Sequence, residues 1–133
     1  MLAIALLADP ALACSCARNP TAVQILEGAT AVFTGTVRQS VPATPGHSIT
    51  TFTVTESFKG APAGSTVRVV HPSGSSASCG VKFAPGETRT LAAYASESSR
   101  ELATTLCSTW MFLPHVPISA GLIQQMRALV GKP

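Results

Sequence analysis

Aspartate is missing from this chain after position 9, and that absence removes most of the ways a small protein does chemistry. Acid–base and hydrolytic enzymes bring carboxylates, histidines or an activated nucleophile together. Here the five glutamates, Glu27, Glu56, Glu87, Glu97 and Glu101, are dispersed along the sequence. His47, His71 and His115 each stand beside a proline or glycine, with no second base or ligand at helical or strand spacing. They read as loop or surface histidines. No glycine-rich loop leads into a lysine, and no His-Glu-x-x-His occurs. The chain is therefore not expected to be an enzyme. Aromatics are also scarce, at 5% of residues. The basic residues are scattered rather than gathered into a stripe with interleaved aromatics, which argues against a nucleic-acid partner. Beyond the first residues no apolar run approaches the roughly 18 needed to cross a bilayer, so no transmembrane segment is expected.

What the chain does have begins at its start. Leu2 to Ala8 is apolar and leads to Ala11-Leu12-Ala13, a small-x-small pattern of the kind signal peptidase cuts. Residues 1–13 read as a signal peptide. It is short and has no Lys or Arg before the apolar run, as a start site placed too far downstream would produce. Cleavage after Ala13 makes Cys14 the first mature residue, with a free α-amine beside its own carbonyl. The mature chain, 14–133, is expected to be a single domain that is secreted or periplasmic. Against its five Glu stand nine Lys and Arg, a balance of +4. A competing reading makes Cys14 the lipidated cysteine of a lipoprotein, although Ala11 stands where such signals usually carry Leu.

Asn19-Pro20 opens a short helix, Asn19 as N-cap and Pro20 at the first helical position, and Gly28 ends it. Strands are expected over 31–39, 49–58, 66–71, 90–95 and 101–106, with Cys107 closing the last. The first alternates Phe33, Gly35 and Val37 on one side with Thr34 and Thr36 on the other. Pro and Gly mark the intervening loops at 41–47 and 59–64, and small residues fill 72–78. The tail from Ser119 to Val130 is helical, with Ser119 as cap, a packing stripe of Leu122, Ile123, Met126, Leu129 and Val130, and Gly131 as stop. Five short strands with a helix at each end predict a mainly β fold, the five-stranded OB-fold barrel.

Four cysteines remain to be placed: Cys14, Cys16, Cys79 and Cys107. A structural zinc site usually arrives as two Cys-x-x-Cys pairs, and a redox site as one near a helix start. Cys-x-Cys followed by two singles fits neither pattern. In an exported protein two disulfides are the simplest reading. They would tie the new N-terminus to the body at two points one residue apart.

The stretches Cys14-Ser15-Cys16, Pro20 leading a helix, Ala29 to Val37, Phe58-Lys59-Gly60, Pro72 to Val81 and Thr105-Leu106-Cys107 resemble one family in order and spacing. It is the N-terminal, netrin-like domain of the tissue inhibitors of metalloproteinases, here as a short bacterial-type relative. Where that family has His-Pro-Gln, this chain has Asn19-Pro20-Thr21. The resemblance implies the pairing Cys14–Cys79 and Cys16–Cys107. It also implies that Cys14 grips the catalytic zinc of a target protease through its α-amine and carbonyl oxygen. Ser15 would point into the pocket just beyond the scissile bond, Cys16 and Ala17 would follow the cleft, and Ser76 and Ala77 would form a second contact strip. On this reading the function is inhibition of a zinc metalloendopeptidase by a monomer. It has no cofactor of its own, and the zinc belongs to the partner. The alternative is a non-inhibitory netrin-like module that binds another envelope or extracellular protein.

Overall fold

Period-two alternation of Thr with Val and Phe is what builds this molecule, because such residues fit a pleated surface buried on one side. The computed structural model describes residues 15–16, 19–75, 78–96 and 101–131. Helix α1 (Ala22–Gly28) leads into β1 (Ala31–Pro42), β2 (His47–Lys59), β3 (Thr66–Pro72), β4 (Thr88–Ala95) and β5 (Leu102–Ala103). Helices α2 (Leu106–Trp110) and α3 (Ser119–Val130) complete the order. The strands close into a barrel in the order β1-β2-β3-β5-β4, consistent with an OB-like fold. Closure depends on β1, which pairs antiparallel with β2 along most of its length and with β4 from Ala31↔Ala93 to Thr36↔Thr88. Three register shifts against β2 let β1 bend far enough to do both. β3 and β5 run parallel, Val69 beside Leu102, so the C-terminal ends of these two strands lie together.

The two faces of the barrel wall bury two cores. Inside are Phe33, Val37, Phe52, Val54, Val69, Phe83 and Leu91, with Phe52 meeting Phe33 and Phe83 edge to face at 5.5 and 5.1 Å. Outside, Val32 and Ala92 turn toward the helices and pack with Ile25, Phe58, Phe112, Leu122 and Met126. Each large side chain among these contributes about 1.5–3 kcal/mol by leaving water. Successive residues over 31–33 of β1 and 91–93 of β4 thus serve different cores, which is why these two short stretches are apolar throughout.

Several boundaries differ from the sequence expectation. The N-cap of α1 is Thr21 rather than Asn19. Its hydroxyl accepts from the Gln24 amide, and the Gln24 side chain accepts from the Thr21 amide, a reciprocal capping box. Lys59 then donates to the Leu26 carbonyl at 2.6 Å, placing a cation at the C-terminal end of that helix. In α3, Ile118 is the cap. The Ser119 hydroxyl turns inward to the carbonyls of Met111 and Leu113. Leu122 and Met126 of its stripe are buried, while Leu129 and Val130 are exposed. The largest correction concerns the fifth strand, which ends at Ala103. Cys107 belongs to a one-turn helix, not to a strand.

Candidate functional site

β5 stops early because its backbone is claimed from elsewhere. The Thr104 amide donates to the Val70 carbonyl and the Thr104 hydroxyl to the Ala92 carbonyl, at 3.0 and 2.8 Å. Two residues on, the Leu106 amide leaves the sheet and donates to the Cys79 carbonyl at 3.1 Å. α2 starts there. Its second residue, Cys107, forms a disulfide with Cys16 over a Cα separation of 5.2 Å and 91 residues of sequence. Cys79 is disulfide-bonded too. The partner expected for it, Cys14, lies outside the described residues.

Cys79 and Cys107 are thus neighbours at one end of the barrel, off the tips of the parallel pair β3 and β5. The segment carrying Cys79 is tightly wound, which accounts for its small residues. The Ser78 and Gly80 amides both donate to the Ser75 carbonyl, and the Val81 amide closes the segment by donating to the Pro72 carbonyl at 3.0 Å. A side chain at Gly80 would overlap the backbone of Gly74. Cys79 itself takes a left-handed backbone, φ 64°. For a residue other than glycine that conformation costs about 1–2 kcal/mol, held here by the bonds on either side.

Of the residues expected to form the site, Ser15 and Cys16 are described, and both are exposed. Cys14, Ala17, Ser76 and Ala77 lie outside the described residues. Ser15 stands one residue from the Cys16–Cys107 bridge, and the Leu106 hydrogen bond ties the Cys79 segment to the helix that carries Cys107. One residue the sequence reading passed over is Trp110, which is 37% exposed and three positions after Cys107 on α2. Residues at that helical spacing share a face of the helix, which places Trp110 on the same side of α2 as Cys107. The signal available was that it is the chain's single tryptophan, a residue type enriched at interface hot spots.

The histidines divide. His47 and His115 are exposed. His71 is 2% exposed, which corrects the surface assignment. It continues the inward parity of Val67 and Val69 on β3, so the alternation already pointed it inside. Its Nδ1 lies 3.2 Å from the Pro72 carbonyl, an acceptor only, so Nδ1 carries the proton. Nε2 then accepts from the Thr50 hydroxyl at 2.7 Å, and Thr50 accepts from the Ser40 hydroxyl at 2.6 Å. Burial holds the His71 pKa below its ordinary 6.5, outweighing backbone hydrogen bonds to Pro72 and Val81 that raise it. The ring edges a cavity of about 350 Å³ that also touches Thr44, His47, Ser96, Thr104 and Thr105.

Arg89 is the other buried polar group. Its guanidinium lies 4.8 Å over the Phe83 ring, with Nη1 3.3 Å from Glu87 and Nε without a partner. Among the described residues no three His, Cys, Asp or Glu side chains converge as a metal site. No helix among them is long and apolar enough to cross a membrane. No protein-family model matches the chain, and no curated protein matches it.

Proposed function

We propose that the protein is a secreted inhibitor of zinc metalloendopeptidases whose mature N-terminal residue, Cys14, chelates the target's catalytic zinc. One observation carries this reading. The segments that carry the two body cysteines assigned to a Cys-x-Cys terminus are joined by a backbone hydrogen bond from the amide of Leu106, the residue before Cys107, to the Cys79 carbonyl, although Cys79 and Cys107 are 28 positions apart in sequence. Two anchors that close together suit a terminus whose own cysteines are one residue apart. Cys16 is already bridged to one of them, and Ser15 is exposed beside it.

The chemistry follows from what such a terminus offers. A catalytic zinc keeps an open position for water. A neutral α-amine and the carbonyl oxygen of the same residue form a five-membered chelate there and displace that water. A terminus held by sulfur bridges loses little freedom on binding, so little of the interaction energy is spent on ordering. Ser15, Cys16 and Ala17 then follow the cleft, with Ser76 and Ala77 as the second strip and Trp110 at the margin. The amine must shed its proton, near pH 7.7–8.0 for an unperturbed terminus, so inhibition weakens in acid.

The test compares the native protein with a form carrying one extra Ala before Cys14, titrated against a panel of zinc endopeptidases. The native form is expected to inhibit at least one of them. The extended form should lose about a hundredfold or more, roughly 2.7 kcal/mol. Equal inhibition by both forms would rule out chelation, and an acyl mass on native Cys14 would do so independently by showing the amine blocked.

A further inference from the structure

The Pro72 carbonyl is where the barrel and the Cys79 segment meet. It receives the Val81 amide at 3.0 Å, closing the segment, and the His71 Nδ1–H at 3.2 Å from the barrel interior. The Val81 backbone also acts on the same ring, favouring its protonated form. On its far side the ring is tied through Thr50 of β2 to Ser40 of β1. One side chain therefore spans β1, β2, the end of β3 and the first residue after the Cys79 segment.

We propose that His71 is a positioning residue for the ridge that carries Cys79: its neutral ring pins the base of that segment to the barrel, and protonating the ring loosens the base. The proposal rests on the inhibitor reading for its functional consequence, although the pin itself does not. On the inhibitor reading, the base of the Cys79 segment would be held at neutral pH and loosened in mild acid, and inhibition would weaken with it.

The surroundings of the ring favour its neutral form. Among the described residues no carboxylate hydrogen-bonds to it. β1 offers Ser40, and β2 offers Thr50 together with His47, which opposes a charge on His71. The stretch after Gly80 offers Phe83, edge to face at 4.9 Å. The nearest charges on β4 and its approach are Arg89, stacked over Phe83, and Glu87, which is paired to Arg89. On the outer side of β3 and β5, Arg68 faces Glu101 at 3.5 Å. A proton on Nε2 would force the hydroxyls of Thr50 and Ser40 to reverse and place a cation where burial disfavours charge. Opening the base lets the ring hydrate instead. The ring binds a proton more readily when the base is open, so the pinned state is fully favoured above pH 6.5 and loses ground as pH falls below it. Within that window the opening equilibrium rises by up to about tenfold per pH unit.

The test follows amide exchange at Val81 in the native protein between pH 7.5 and 5, corrected for intrinsic exchange, with the His71 ring titrated by NMR in the same samples. Val81 protection is expected to fall about tenfold or more over that range, tracking ring protonation. In His71→Asn the side-chain amide can still donate to Pro72 but cannot titrate, so the pH dependence should vanish. Native Val81 protection that stays flat while the ring titrates would overturn the proposal, and this measurement needs no variant to fold. Inhibition of a zinc endopeptidase is measured in parallel at pH 7.5 and 6. The native protein should weaken more than His71→Asn, because both share the amine titration and only one has the pin. If neither form inhibits anything, the inhibitor reading fails, while Val81 exchange still decides the role of His71. If inhibition occurs with identical pH profiles and flat exchange, the inhibitor reading stands and the pin falls.

Discussion

Replacing Cys16 and Cys107 together by serine removes a crosslink that spans 91 residues of sequence. If that were the chain's sole crosslink, the chain-entropy argument would put its contribution near 5 kcal/mol at 25 °C, about 4.6 by the loop-length formula. The effective ring is smaller if Cys79 is bridged to Cys14. The path then runs two residues along the terminus and back from Cys79 to Cys107, roughly 30 residues in all, and the contribution falls to about 3.5 kcal/mol. Removing the two bridges in either order should therefore reveal a coupling near 1 kcal/mol, each bridge mattering more once the other is gone. For a domain of this size a loss of about 3.5 kcal/mol corresponds to a fall in Tm of roughly 10–18 °C. Urea unfolding of the native protein and the serine variants, with slopes compared to confirm similar unfolded states, measures the effect. A loss below about 1 kcal/mol would refute the reasoning, since Cys16 would then be attached to a body that gains nothing from holding it.

Other consequences are simpler to measure. Gly80→Ala should lower stability by about 1–3 kcal/mol, because the added Cβ meets the Gly74 backbone and one strand of the turn must move; unfolding free energy within 0.5 kcal/mol of native would contradict it. Arg89→Met should be neutral or stabilising in urea unfolding, since it removes a buried guanidinium with an unpartnered Nε and leaves Glu87 only half-buried; a loss above about 2 kcal/mol would show that the stacking on Phe83 outweighs the burial. The Arg127 guanidinium, bonded to Glu56 at 2.7 and 2.8 Å, holds that carboxyl below its usual value of 4.5. A lowered acid pKa stabilises above the ordinary value and is lost as pH falls through the lowered one. Arg127→Gln should therefore return the Glu56 titration, followed by NMR, to the ordinary range, with little change in stability at pH 7 because the pair is exposed.

The strand count, the barrel and both end helices were legible because they rest on local chemistry. Alternation at Phe33, Val37, Phe52 and Val54 marks the inner face wherever the strands end. The Cys16–Cys107 bond agrees with the pairing implied by resemblance to the tissue inhibitors. α2 was not legible. Leu102 to Leu106 is as strand-like as the segments that did form strands, and only the Leu106 amide finding Cys79 rather than a sheet partner ends it. Thr21 took the cap from Asn19 because Gln24, three residues on, could return the hydrogen bond. His71 looked like a loop residue for its neighbour Pro72, yet its parity with Val67 and Val69 already placed it inside.

The amino-acid sequence by itself determined which residues face inward, where the chain turns and how many thiols must be satisfied. These depend on periodicities of two and 3.6 and on the special backbone of glycine and proline. Only the tertiary structure decided that Cys79 and Cys107 stand side by side and that one buried imidazole joins three strands to the base of the Cys79 segment. Such adjacency comes from closing the barrel, which brings the ends of β3 and β5 together across more than thirty residues of intervening chain.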